Sequence, residues 1–473
     1  MLDNIIMYGS ALLAVAVIVY MLIKKMDIKM ALFLMGIVLL FISLFMGNDI
    51  VLKDFEPTGS ILLDPLQVIV QQFKSTLTSA GLIILILGGY TAYMSFIGAN
   101  DLTVQMLTKP ISKIKSVYVL VPIIFLIGNV LALVIPSAST LAILLLATLY
   151  PVLKKAGMST LSIAAVIATS ATIVPTPLGS DNVAVAEELA KHAAFSDLTV
   201  TQYVFSYHAI ISLPTLAFIA LVHYFWQKRM DKKIANVESN EEVELEEFKE
   251  IKGSKLFKTV YAILPVFPII ILLASFILEI TTHTSVSISV EIAVLVSFIL
   301  AIICELIRHK GSKDVLANTE KFFSGMGNMI SVVALLVAAS VFVAGLQSIG
   351  LISTLQQSME NIQGQGFDVI LPLILVGFTA LIVILSGSGI ALFFAMIPLI
   401  VPLADAAGIS PIAVSVPMGL AGNLFRSVSP VAAVVLIIAG TLKVDPLNII
   451  KRTSVPMISG VIFMFVLSMI VFL

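Results

Sequence analysis

Two stretches of this chain share the same interruptions. Pro136-Ser137-Ala138-Ser139-Thr140 opens an apolar run that reaches Pro151 and turns at Gly157 and Ser159. Ser386-Gly387-Ser388-Gly389 opens another, which reaches Pro402 and turns at Gly408 and Ser410. The prolines, glycines and serines of the two turns match at one offset of 251 residues. Each turn leads to a further apolar run broken by helix-stopping residues: Val174-Pro175-Thr176-Pro177-Leu178-Gly179 in the first copy, Phe425-Arg426-Ser427-Val428-Ser429-Pro430 in the second. Helix breakers at matched places inside apolar segments point to a transporter with its site between two related halves.

The solvent is the bilayer. Of 473 residues, 59% are hydrophobic and 12% charged, and the mean hydropathy is +1.11. A net charge of −1 and the lack of a large basic patch exclude a nucleic-acid partner. The single cysteine, Cys304, excludes an intramolecular disulfide and a thiolate metal cluster. No histidine pair has metal-ligand spacing, no nucleotide-binding loop is present, and no cofactor is expected. The first residues lack a basic leader, so residues 6–24 read as a retained span.

About 20 apolar residues cross a bilayer core. Spans are expected near 6–24, 30–46, 80–98, 203–226, 257–279, 287–306, 329–348 and 455–473. Regions 117–153 and 367–404 are too long for one span and break near 136–139 and 386–389; regions 159–191 and 410–441 break at 174–181 and 424–430. Basic clusters such as Lys109/Lys113/Lys115 and Lys154/Lys155 belong in the cytoplasm. That makes 117–153 a re-entrant hairpin from inside and 367–404 one from outside, with both chain ends outside. The expected fold is an all-α polytopic membrane protein of two inverted repeats, each with five crossings and one hairpin. The first repeat covers 1–226: scaffold helices 6–98, hairpin 117–153, broken helix 159–191 and helix 203–226. A charged cytoplasmic linker, 227–256, leads to the second at 257–473: scaffold helices 257–348, hairpin 367–404, broken helix 410–441 and helix 455–473. Apolar stripes at Leu66/Ile69/Val70/Phe73, Leu316/Phe323 and Leu355/Met359/Ile362 suggest helices along the interface.

Irregular backbone at membrane depth is tolerated only against protein or a wet cavity. Half-helices are expected to start at Ser180, Asp181 or Asn182, and at Ser429 as a cap before Pro430. Such N-termini favour an anion. Arg426, with a planar fork suited to a carboxylate, is the first candidate ligand; an ion pair with Asp181 is the structural alternative. Ser137, Ser139, Thr140, Thr176, Ser386, Ser388, Asn423 and Ser427 complete the substrate candidates. Asp181, flanked by Ser180 and Asn182, could hold a coupling ion or a proton, or cap the next half-helix. A channel and an intramembrane serine protease were the other classes weighed. The protease lacks an intramembrane base.

Several stretches resemble one family. Gly88 to Met94, Ile97 to Asp101, Ala147 to Val152, Phe225-Trp226-Gln227, Ala262 to Pro265, Asn423 to Pro430 and Lys451 to Pro456 are similar, in order, to the anaerobic C4-dicarboxylate carrier (DcuC) family. That family is similar to the ion-transporter superfamily of inverted-repeat elevator carriers. The resemblance implies a secondary carrier in a bacterial inner membrane, homodimeric, with a scaffold and a moving transport domain. It implies a succinate- or fumarate-type substrate, taken up, exchanged or exported, with Na+ or H+ as a possible partner. A cation-coupled amino-acid or other organic-anion carrier of the same architecture is the alternative. No enzyme activity is implied.

Overall fold

The computed structural model describes residues 2–24, 26–52, 54–114, 116–234, 254–282, 288–360, 367–387 and 389–473. These residues are overwhelmingly helical, with no strand among them. Nine of the described helices are long and apolar enough to cross a bilayer. Eight sit where spans are expected: Asp3–Met21, Ile28–Phe45, Asp64–Phe96, Val200–Lys232, Lys255–Thr282, Val290–Arg308, Lys313–Ser348 and Pro446–Phe472. The ninth, Ala138–Lys155, is the second arm of the first interrupted region.

The stripe at Leu66, Ile69, Val70 and Phe73 lies on its own helix, Asp64–Thr76, before the span Leu82–Phe96. Asp64–Phe96 runs on through a π-helical turn at Leu77–Gly81, kinked at Ser79 (φ −100°, ψ −115°). Leu66, Val70 and Phe73 face outward, while Val68 packs with Leu40, Val337 and Val341. Leu316 lies on the short helix Lys313–Ala317 and Phe323 at the start of Glu320–Ser348. The third stripe coincides with the helix Leu351–Glu360, but the side chains of Leu355, Met359 and Ile362 lie outside the described residues. The first part of the expected linker is helical. The helix Ala209–Ile234 carries the chain through Lys228 and Asp231 as regular helix. Residues 235–253 lie outside the described part.

The four interruptions are present. Val117–Ala132 and Ala138–Lys155 flank the first; Ile370–Ser386 and Gly389–Met396 flank the second. Thr160–Ala168 and Ser180–Leu189 are the halves of the first split helix, Pro411–Arg426 and Ala433–Leu442 those of the second. Apolar burial does not drive helices together in lipid, so close packing and polar bonds must. Glu320–Ser348 packs on Ile28–Phe45 and on Leu82–Phe96. Ala209–Ile234 packs on Pro446–Phe472, where Phe218 and Phe463 stack at 4.5 Å between ring centroids. Such a contact contributes about 1 kcal/mol. The split helices lie against this second group, as Thr160–Ala168 and Pro411–Arg426 both touch Pro446–Phe472.

Candidate functional site

The first break runs from Thr169 to Gly179. Pro175 and Pro177 withhold two backbone donors, so no regular helix can pass. The free groups are matched instead by two buried amides. Asn129, from Val117–Ala132, accepts through Oδ1 from the N–H groups of Thr172 and Ile173, both at 3.0 Å, and donates through Nδ2 to the carbonyls of Phe125 (2.9 Å) and Thr169 (3.3 Å). Asn182 donates through Nδ2 to the carbonyls of Val174 (3.1 Å) and Thr176 (3.0 Å). The Thr176 hydroxyl accepts from the Leu178 N–H at 3.2 Å and fixes the turn before Gly179.

The half-helix then starts at Ser180, as expected, but its cap is Gly179 and no side chain caps it. The expected caps Ser180, Asp181 and Asn182 are instead its first turn. Its first backbone donors therefore face the break, with positive partial charge. Asp181 accepts from the Asn182 N–H at 3.0 Å through Oδ1.

The second break is shorter and tighter. Pro411–Arg426 ends on Arg426, where a cation complements the negative helix end. The next half-helix starts at Ala433 with Ala432 as its cap, not at Ser429-Pro430. Ser429 is used differently: its hydroxyl donates to the Ile384 carbonyl at 2.8 Å, tying the break to the arm before Gly387. Gly387 has φ +76°, and a Cβ there would lie 2.6 Å from the Val431 carbonyl oxygen. Only glycine fits that turn against that backbone.

The two breaks are stitched together. Ser427 donates to the Ala168 carbonyl at 2.8 Å, and Arg426 donates from Nη2 to the Ala171 carbonyl. Asn423 donates from Nδ2 to Asp181 Oδ2 at 3.5 Å, a long contact. Among the described residues no ion pair within 4 Å joins Arg426 to Asp181, and Arg426 Nε is buried without a partner.

One cavity lies over this junction, with about 890 Å³ of empty space, its open mouth included. Thr176, Ser180, Asp181, Asn423 and Arg426 line it, as the sequence suggested. So do side chains that sequence reasoning passed over: Tyr90, Thr91 and Met94 of the long helix, Pro265, and Phe393 and Phe394. Among the described residues, Asp181 and Arg426 are the charged ones that line it.

The other candidates lie elsewhere. Asn182 is buried behind the lining and holds the break. Ser427 is wholly buried, its hydroxyl on Ala168. Ser137 and Thr140 are exposed at the first tip, where Ser137 caps the following helix and accepts from the Thr140 hydroxyl at 2.9 Å. Ser139 is half-buried beside them, and the cavity takes Leu133, Val134 and Pro136 from this tip instead. Ser386 ends its helix away from the lining, and Ser388 lies outside the described residues. Asn129 was missed, although an Asn inside the apolar run Val117–Ala132 was a usable signal: a polar amide in lipid needs partners.

The family described as C4-dicarboxylate anaerobic carrier matches residues 7–473. The chain belongs to that family. It is 33% identical over 445 residues to the anaerobic C4-dicarboxylate transporter DcuC of Escherichia coli strain K12, covering 94% of this chain and 92% of that protein. It is 34% identical over 439 residues to the probable anaerobic C4-dicarboxylate transporter DcuC of Vibrio cholerae, covering 92% and 91%. These family relatives are transporters by name, not enzymes. Two solved structures share the fold. The Alcanivorax borkumensis YdaH transporter aligns with a TM-score of 0.67 at 15% identity, covering 93% of this chain and 97% of that one. Neisseria gonorrhoeae MtrF aligns with a TM-score of 0.61 at 16% identity, covering 93% and 94%. The protein is an all-helical, multi-pass membrane transporter of this family.

Proposed function

We propose that this protein carries C4-dicarboxylates of the succinate or fumarate type across a bacterial inner membrane, with the cavity between the two breaks as its substrate site. The observation that carries this is Arg426 lining the cavity beside the uncapped N-terminus of Ser180–Leu189. A guanidinium grips one carboxylate through paired N–H donors. The N-terminal end of the half-helix at Ser180 and the Asn423 amide suit the second. The DcuC names of its relatives fit this substrate class.

Charge balance adds a coupling partner. Asp181 and Arg426 leave the empty cavity neutral, so a dianion would bring two uncompensated negative charges into a low-dielectric space. A cation must travel with the substrate, or another dianion must leave by the same route. Asp181 is the group to hold that cation, either Na+ or a proton: it is an acid lining the cavity, and the Asn423 amide stands 3.5 Å from its Oδ2.

The matched breaks support two inverted repeats, 1–226 and 257–473, with 117–153 and 367–404 as re-entrant hairpins. The packing of both split helices on Pro446–Phe472 fits one moving part in an elevator mechanism, and a homodimer is the assembly proposed with it.

Uptake of radiolabelled succinate into proteoliposomes tests the assignment. Arg426→Ala should abolish saturable uptake, with Arg426→Lys keeping a weakened fraction. Asp181→Asn should keep exchange against internal succinate while losing cation-driven net uptake. Wild-type flux in Arg426→Ala would overturn the site.

A further inference from the structure

Away from the cavity, a file of buried polar side chains links the end of Val200–Lys232 to the first break. Arg452 is 1% exposed. Its Nη1 donates to Asp231 Oδ1 at 2.5 Å, Ser162 Oγ at 2.9 Å and Gln227 Oε1 at 3.2 Å. Gln227 donates from Nε2 to the Arg452 carbonyl at 3.0 Å and toward His223 Nδ1 at 3.3 Å. With Nδ1 accepting, the partners assign the His223 proton to Nε2, which lies 3.2 Å from Thr169 Oγ1. The Thr169 hydroxyl in turn donates to the carbonyls of Ala165 (3.1 Å) and Val166 (3.0 Å), which end the half-helix Thr160–Ala168. From Gln227 through His223 to Thr169 the donors run in one direction, while Arg452 Nε is buried without a partner. Gln227 and His223 are wholly buried.

A buried ion pair is weak evidence for stability, because packed apolar groups of the same size often do as well. Its retention here has a geometric consequence. Thr169 opens the first break, and two residues later the Ala171 carbonyl accepts from Arg426. The file ends on the backbone that aims the cavity's cation.

We propose that Arg452, through Gln227 and His223, is a positioning residue for the substrate site: it sets the first break so that Arg426 points into the cavity. This rests on the reading of Arg426 as the carboxylate ligand. Arg452 and Asp231 touch no substrate, and their effect reaches the site through Thr169. No local spacing in the sequence marks Arg452 or His223 for this role, because they and their partners lie on three different helices.

The test is succinate uptake by the full-length protein in proteoliposomes, read as KM and maximal rate. His223→Leu, which cuts the file, should raise KM about tenfold with the maximal rate changed far less. His223→Gln, which keeps a donor near the Nε2 position, should restore the wild-type KM. Thr169→Val cuts the same link from the other end and should match His223→Leu, so the proposal stays testable if one variant fails to fold. In an Arg426→Lys background, which keeps weakened uptake, His223→Leu should add little, because the shared effect runs through Arg426. A wild-type KM in both His223→Leu and Thr169→Val would overturn the proposal. So would equal KM values for His223→Leu and His223→Gln, or full additivity with Arg426→Lys. If Arg426→Ala itself leaves uptake unchanged, the site reading fails. If Arg426→Ala abolishes uptake but the His223 and Thr169 variants are silent, only the positioning role fails.

Discussion

The two breaks share a sequence pattern, but they differ in what holds them. The first, Thr169 to Gly179, is long and open, and two asparagine amides hold it. Each amide offers donors and acceptors in one rigid plane, so one side chain can match several stranded backbone groups. The second, Ser427 to Ala432, is compact, and single hydroxyls tie it to the carbonyls of Ala168 and Ile384. The first therefore presents backbone and Asp181 to the cavity, while the second packs tightly and delivers one side chain, Arg426. One break forms a wall of the cavity, and the other an arm that brings Arg426 to it.

The sharpest way to break this comparison is at the compact copy. Gly387 combines φ +76° with a backbone neighbour 2.6 Å from any added Cβ. Gly387→Val should prevent the second tip from seating on Val431. The strain is about 1–3 kcal/mol for the dihedral alone, before the clash is added. The expected outcome is loss of folded protein in detergent by size-exclusion chromatography. A monodisperse, active Gly387→Val protein would show that the second break is as yielding as the first.

The open copy should fail by degrees. Asn129→Leu strands the N–H groups of Thr172 and Ile173 in a buried setting, at about 1–3 kcal/mol each. Thermal unfolding in detergent should fall by several degrees, and succinate KM should rise, because Ala171 and Arg426 lose their reference. An unchanged melting temperature would mean that the break is held by packing and not by the amide.

Much of this arrangement was legible in the sequence, and the reason is physical. Proline and glycine act locally, so the breaks near 136, 175, 387 and 427 could be read without knowing any neighbour. Charge depletion and apolar length did the same for the spans. Illegible were features decided by a partner far along the chain. Ser429-Pro430 looks like a helix start, yet the Ile384 carbonyl claims the Ser429 hydroxyl and the helix waits until Ala433. The apolar stripe at Leu66, Ile69, Val70 and Phe73 is what the sequence shows, yet Val68 on the other face is the residue that meets Val341 and Leu40. Asp231 looks like part of a solvated linker, yet Arg452 pairs with it at 2.5 Å. In a bilayer both faces of a helix are apolar, so periodicity alone cannot say which one is packed.

The smallest expected effect concerns the tips. Ser137 and Thr140 invite comparison with Ser386 because both sets lie at the tip between two arms. At the first tip the hydroxyls are turned to one another and to the helix end: Ser137 Oγ accepts from the Thr140 hydroxyl and from its N–H, at 2.9 and 3.3 Å. Both residues are exposed, and neither lines the cavity. Thr140→Val removes one exposed hydroxyl–hydroxyl bond and leaves the cap's backbone bond intact. It should cost well under 1 kcal/mol and change succinate KM less than about twofold. If Thr140→Val instead abolishes uptake in proteoliposomes, the first tip must reach substrate in another state of the transport cycle. The wall and arm division would then describe only one end of the carrier's motion.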